Sequence, residues 1–211
     1  MQLAQGFVIS DNSEITLEEL MANYGEKLLR YATSILCSYQ DAEDVVQDVF
    51  IYAYQNRTKF HGGNISAWLY KITYNDCLDK VKSRQRRKWF FFNDVDVKEE
   101  PAIYMEDTIT MPEIMKILEK LKPQERALLF GRIMSGQSYE ELSKIMDSTP
   151  ATLRKQYERV KKKAAKYLNE YGYGTTIESF QAPIAFNNEP CRKYIKTCKH
   201  VEMKGADYND A

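Results

Sequence analysis

The sequence predicts an all-α protein built as two small helical domains joined by an acidic linker. Apolar residues recur at the three- and four-residue spacing of helices, and Ser and Thr capping signals stand where those patterns begin. A stretch rich in acids and without periodicity, 93–111, divides the two helical parts.

From Thr16 to Leu36, Leu17, Leu20, Met21, Tyr24, Leu28, Tyr31 and Ile35 gather on one helical face. Thr16 followed three positions later by Glu19 is a capping box that fixes the start. A second helix is expected from Asp41 to about Asn56, with Ala42, Val45, Val46, Val49, Phe50 and Ala53 inward and Asp41 as N-cap. It carries no Lys or Arg, so its outer face is acidic. His61-Gly62-Gly63-Asn64 then reads as a loop, because paired glycines cost a helix roughly 1 kcal/mol each. A third helix is expected from about Ile65 to Lys88, with Ile65, Trp68, Leu69 and Ile72 inward and a strongly basic second half. The linker holds Asp94, Asp96, Glu99, Glu100, Glu106 and Asp107 against Lys98 alone.

Helical pattern returns over Pro112 to Leu121 and Pro123 to Met134, where proline suits a first turn that has no use for its missing N–H. Ser138 with Glu141 forms a second capping box ahead of Leu142, Ile145 and Met146. Thr149-Pro150 opens the last long helix, with Leu153, Tyr157, Val160, Ala164 and Leu168 inward. The remaining segment, 171–211, is weakly patterned.

A length of 211 residues suits one large domain or two small ones. With 44% hydrophobic and 28% charged residues, neither wholesale disorder nor a membrane-embedded chain is expected. No apolar run approaches the roughly 18 residues of a spanning helix, and Met1 to Ser10 lacks the pattern of a signal peptide. A cytoplasmic protein with no stable membrane insertion is the expectation. Cys37, Cys77, Cys191 and Cys198 are too scattered for a disulfide framework, so reduced thiols are expected.

Thirty basic and thirty acidic residues cancel, and their placement carries the information. Across Pro150 to Leu168 seven basic residues oppose only Glu158. Helical angles put Lys155, Glu158, Arg159, Lys162 and Lys166 opposite the core, a face suited to several phosphates. A short helix, a turn at Asp147-Ser148-Thr149 and this basic helix have the outline of a helix-turn-helix, which lays its second helix in the major groove. A merely solvated cationic face is the plainer alternative. In the first half, Phe60, Trp68, Tyr70 and Tyr74 interleave with Lys59, Lys71 and Lys80, a combination that suits unstacked bases and phosphates. Helical spacing favours core packing for Trp68 taken alone. The acidic run Asp41 to Asp48 would repel DNA and fits a basic protein surface.

The strings DAEDVVQDVFIYAY, FHGGNISAWLYKITYNDCLDKVKSRQRR and LKPQERALLFGRIMSGQSYEELSKIMDSTPATLRKQYERVKKKA closely resemble those of a bacterial RNA polymerase sigma factor of the extracytoplasmic-function group. The resemblance covers roughly Thr16 to Arg87 and Pro112 to Leu168. It implies a promoter-specificity subunit with core RNA polymerase and promoter DNA as partners, an anti-sigma factor as a possible third, no cofactor and no catalytic residues. Region 2 would occupy 1–92, the linker 93–111, region 4 the segment 112–170, and a C-terminal extension 171–211. Asp41, Glu43, Asp44, Gln47 and Asp48 match the helix that docks on the polymerase clamp. Phe60, His61, Gly62, Gly63 and Asn64 match the loop that captures a flipped −10 base. Asn75, Asp79, Lys82, Arg84, Arg86 and Arg87 match the helix lining the promoter as it melts. Arg154, Lys155, Glu158, Arg159 and Lys162 match the −35 recognition helix.

Two departures stand out. Trp89-Phe90-Phe91-Phe92 follows the basic helix where polar linker is expected, and the chain continues some 40 residues past region 4. The aromatic run reads first as linker anchorage, with a surface patch or an interfacial membrane contact as alternatives. The acidic linker can lie in a basic channel or serve as a plain tether. Two rival functions are a stand-alone helix-turn-helix regulator and a metal or redox protein built on Cys191, Cys198 and His200. That trio lacks compact ligand spacing and a clear fourth ligand.

Overall fold

The computed structural model describes residues 7–10, 13–60, 62–90 and 111–170. Its helices are α1 (Leu17–Leu36), α2 (Tyr39–Gln55), α3 (Ile65–Phe90), α4 (Met111–Glu119), α5 (Pro123–Ile133), α6 (Tyr139–Met146) and α7 (Pro150–Glu170). A short antiparallel ribbon, β1 (Phe7–Ser10) and β2 (Ser13–Ile15), precedes α1, and a single 3-10 turn spans Arg57–Lys59. The ribbon and the turn are unanticipated additions to an otherwise all-α fold.

The capping boxes form as expected at Thr16/Glu19 and Ser138/Glu141, each satisfying free donors in both directions. The second helix differs: it begins two residues earlier than Asp41, and the N-cap is Ser38, whose hydroxyl accepts from the Asp41 backbone N–H. Asp41 therefore sits in the first turn, where a carboxylate still favours the helix dipole. The third helix runs two residues past Lys88, through Trp89 to Phe90. Phe91, Phe92, the linker through Thr110 and the C-terminal extension lie outside the described residues, as do Cys191, Cys198 and His200.

Helices α1, α2 and α3 bury Leu20, Leu28, Tyr31, Ile35, Val49, Phe50 and Leu69 to 1% exposure or less. Each such side chain contributes about 1.5–3 kcal/mol of transfer free energy. In the C-terminal half, Leu128, Leu142 and Leu153 tie α5, α6 and α7 together. Val160 and Ala164 of α7 pack with Met115 and Leu118 of α4, and Leu168 packs with Ile117. The halves are not separate: Ala127 of α5 and Ile145 of α6 belong to the same continuous core as α1 to α3.

The turn between α6 and α7 is made by Asp147, which ends α6 at φ 49°. Aspartate is among the few side chains that enter this left-handed region readily. The Asp147 and Ser148 backbone N–H groups both donate to the Ser143 carbonyl, closing the last turn of α6. The Thr149 hydroxyl accepts from the Thr152 N–H and starts α7, as Thr149-Pro150 predicts.

Candidate nucleic-acid and protein interface

Three charged surfaces emerge. The first is the outer face of α2. Asp44 and Asp48 are exposed, while Glu43, Gln47 and Asp41 are half-buried. Asp41 faces inward across the helix pair, where the Arg84 guanidinium bonds it and Lys80 Nζ lies 3.5 Å away. Lys80 also reaches Asp44 at 3.1 Å. The N-terminal end of the acidic run thus clasps α3, while the Asp48 side chain is exposed on the outer face of α2. Beside it, Asp76 of α3 is pushed up from the ordinary 3.8 to about 6, by burial first and then by the charges of Asp48 and Asp79.

The second surface is the loop after the 3-10 turn and the start of α3. Gly62 and Gly63 adopt φ of 86° and 99°, values that side chains rarely tolerate. Both glycines and Asn64 are exposed, Phe60 is half-buried, and His61 lies outside the described residues. Asn64 is already employed: its Oδ1 accepts from the Ala67 N–H at 3.0 Å, capping α3. One lone pair of that oxygen is thereby used, and Nδ2 donates toward Glu141 Oε1 at 3.4 Å. Phe60 packs on Trp68 with ring centroids 5.2 Å apart, so Trp68 is half-buried against an aromatic neighbour.

The expected aromatic platform is smaller than the sequence suggests. Tyr70 and Tyr74 are only 4% and 6% exposed, and Tyr70 meets the Tyr31 ring edge-on, so neither offers a face to a base. Further along α3, Asn75, Asp79, Lys82, Arg86 and Arg87 are exposed, with Asp79 and Lys82 paired at 2.9 Å. Arg84 instead ties α3 to the end of α1 and the start of α2, donating to the Leu36 carbonyl as well as to Asp41.

The third surface is α7. Arg154, Lys155, Glu158, Arg159 and Lys162 are all exposed on the side opposite the buried Leu153, Val160 and Ala164, as helical spacing predicts. Tyr139, at the start of α6, borders this surface, a contact that helical spacing does not reveal. Arg132 stands over its ring at 4.5 Å and Arg154 at 5.3 Å, so one aromatic ring holds two guanidinium groups at the edge of the cationic surface. Lys163 ties this helix to α5 through Glu125 at 2.8 Å. Burial pushes the Glu125 carboxyl up, and bonds from Lys163 and the Lys122 backbone outweigh it and lower the group overall.

The described thiols are not activated. Cys77 is raised chiefly by burial; Cys37 is raised by burial against the opposing pull of Arg126. Among the described residues no cluster of His, Cys, Asp or Glu could hold a metal ion. None of the described helices is long and apolar enough to cross a membrane.

An acidic helix, a glycine-bent loop with a basic helix, and a helix-turn-helix with a cationic face define a DNA-binding transcription factor that also has a protein-docking surface. Sequence comparison specifies the class: Sigma-70 region 2 matches residues 20–87 and Sigma-70 region 4 matches residues 112–163. The chain is similar to the ECF RNA polymerase sigma factor SigE of Mycolicibacterium smegmatis, 28% identical over 164 residues covering 75% of this chain and 63% of that protein. It is also similar to the RNA polymerase sigma-H factor of Pseudomonas aeruginosa, 28% identical over 166 residues, covering 71% and 84% respectively. Its fold resembles that of the sigma factor RpoE from Bartonella quintana, solved in complex with the anti-sigma factor NepR, at TM-score 0.60 and 22% identity. That likeness covers 72% of this chain and 96% of RpoE. The chain belongs to the sigma-70 family, in its extracytoplasmic-function group. It is a non-enzymatic promoter-specificity factor that binds core RNA polymerase and promoter DNA. The stand-alone regulator is not favoured, because such a protein has no use for region 2.

Proposed function

We propose that the three surfaces divide the work of initiation among them. Asp48, with Asp44, Glu43 and Gln47 beside it, docks on a basic helix surface of the polymerase, while Asp41 supports that face from within through Arg84. The loop 60–64 captures an extruded −10 base, with Asn75, Asp79, Lys82, Arg86 and Arg87 along the melting strand. Arg154, Lys155, Glu158, Arg159 and Lys162 read the −35 element, where Glu158 can accept from cytosine N4 and the cations hold phosphates. The protein acts in the cytoplasm, with an anti-sigma factor as a further partner.

The observation that carries this reading is the separation of signs: an outward carboxylate face on α2 and a cationic face on α7, each on its own rigid helix. The test is run-off transcription with core polymerase, using Gly62→Val with Gly63→Val. Valine in the left-handed region forces the loop to refold. Core binding should persist, opening of duplex promoters should be lost, and a template mismatched at −10 should restore part of the activity, since unstacking costs a few kcal/mol per step. Normal permanganate reactivity of promoter thymines with the double variant would remove base capture from this loop.

A further inference from the structure

The seven basic side chains between Pro150 and Leu168 of α7 are not equivalent. Lys161 pairs with Glu158 at 3.4 Å and Lys166 with Glu170 at 3.8 Å, both along the helix itself. Lys163 is held from another helix, its Nζ 2.8 Å from Glu125 Oε2 on α5. Arg154, Lys155, Arg159 and Lys162 have no ion-pair partner among the described residues. These four are the cations assigned above to the −35 element, so carboxylates draw off the remaining three.

By position Lys163 belongs with the four. Residues four apart stack on one helical face, and Lys155, Arg159 and Lys163 form such a row. Released from Glu125, the Lys163 ammonium would extend that row by one more step of about 6 Å. Glu125 is well placed to prevent this. The same Oε2 accepts from the Lys122 backbone N–H at 2.7 Å, which fixes the carboxylate in the first turn of α5. The Lys163 and Glu125 side chains are 34% and 25% exposed, against 75% and 53% for Lys166 and Glu170, so solvent screens the pair to α5 less.

We infer that Glu125 is a positioning residue that withholds Lys163 from DNA and keeps the phosphate grip of α7 one contact below what its composition allows. The inference rests on the assignment of α7 to the −35 element. A phosphate contact strengthens binding to every sequence alike, whereas base contacts favour the right one. Holding one cation back therefore limits retention of the factor on the large excess of other DNA, and leaves more of the binding to base contacts and to polymerase.

The test uses the full-length chain, whose α7 cations Arg154, Lys155, Arg159 and Lys162 are exposed, with a labelled −35 duplex and a scrambled one. Anisotropy titrations between about 50 and about 200 mM salt give the slope of log K against log salt, which changes by about 0.9 per phosphate contact. Glu125→Gln removes the charge and keeps an acceptor for the Lys122 N–H. It should steepen the slope by about 0.9 and tighten both duplexes about fivefold at ~0.15 M salt. A role confined to tying α5 to α7 gives the opposite, weaker binding with no steeper slope. Lys163→Gln should leave the wild-type slope in place, and added to Glu125→Gln should restore it. Lys162→Gln, on an unpaired cation, should make the slope shallower by about 0.9. An unchanged slope in Glu125→Gln, shown by its thermal melt to be folded, overturns the inference. So does a slope made shallower by Lys163→Gln alone, which would place Lys163 on a phosphate already and decides the matter even if Glu125→Gln does not fold. If Lys162→Gln also leaves the slope unmoved, the assignment of α7 fails as well; if Lys162→Gln responds as expected, only the withholding by Glu125 is wrong.

Discussion

Asp76 shows how a single side chain records a conflict between packing and function. It lies half-buried on α3 beside Asp48 and Asp79, and burial and those charges raise it to about 6. A raised carboxyl favours folding while it is protonated, below its unfolded value near 4, and that advantage is lost as pH rises through 6. Asp76→Asn should therefore raise stability by about 1 kcal/mol at pH 7.5, after allowance for partial exposure, and by nothing at pH 4. Urea midpoints at the two pH values measure this, and an equal gain at both would show that charge is not the cause. Tyr139 makes a second residue-scale case. Its ring holds Arg154 at the edge of the cationic face of α7, an interaction worth about 0.5–1 kcal/mol at an exposed site. Tyr139→Leu should weaken −35 binding roughly two- to fivefold, whereas Tyr139→Phe, which keeps the ring, should not. Anisotropy titrations with labelled promoter distinguish the two.

At the level of elements, helix boundaries were legible because caps have chemical signatures: Thr16/Glu19 and Ser138/Glu141 form the predicted boxes. The start of α2 falls earlier than the acidic signal suggests, because Ser38 stands three residues before Asp41 and a hydroxyl caps as well as a carboxylate does. Tyr70 and Tyr74 depart from the expected platform for a different reason. Periodicity tells which residues share a face and is silent on what covers it; here α1 and the C-terminal half cover both tyrosines. Asn64 and Arg84 illustrate a third difficulty, because residues that match a DNA-contact motif also cap and clasp helices. In sequence, Gly131 inside a helix looks only like a cost. A Cβ built there would lie 2.7 Å from Gln137 Oε1 and 2.8 Å from Leu142 Cδ2, both on buried side chains, so the residue permits α5 to meet α6. Gly131→Ala usually gains about 1 kcal/mol in an open helix. Here it should cost about 1–3 kcal/mol by overpacking, read as a lower thermal midpoint and weaker −35 binding with core docking unaffected.

At the scale of the whole chain, the region 4 match stops short of the end of the last described helix. The region 4 match stops at residue 163, yet α7 continues to Glu170, and Leu168, 1% exposed, closes the far end of α4 by packing on Ile117. The last two turns of α7 therefore belong to the fold although they lie past the family's signature. Shortening the chain should consequently have a sharp threshold. A protein ending after Glu170 should bind core and open promoters as the full chain does, with any change confined to regulation. One ending after Lys166 loses Leu168, exposes Ile117 and should be destabilised by about 2–5 kcal/mol, the usual cost of removing a large buried side chain. Thermal melts of the two truncations, paired with run-off transcription, locate that threshold. If the chain ending after Glu170 neither binds core nor transcribes, the segment 171–211 is part of the initiation machinery and the boundary drawn at the end of α7 is wrong.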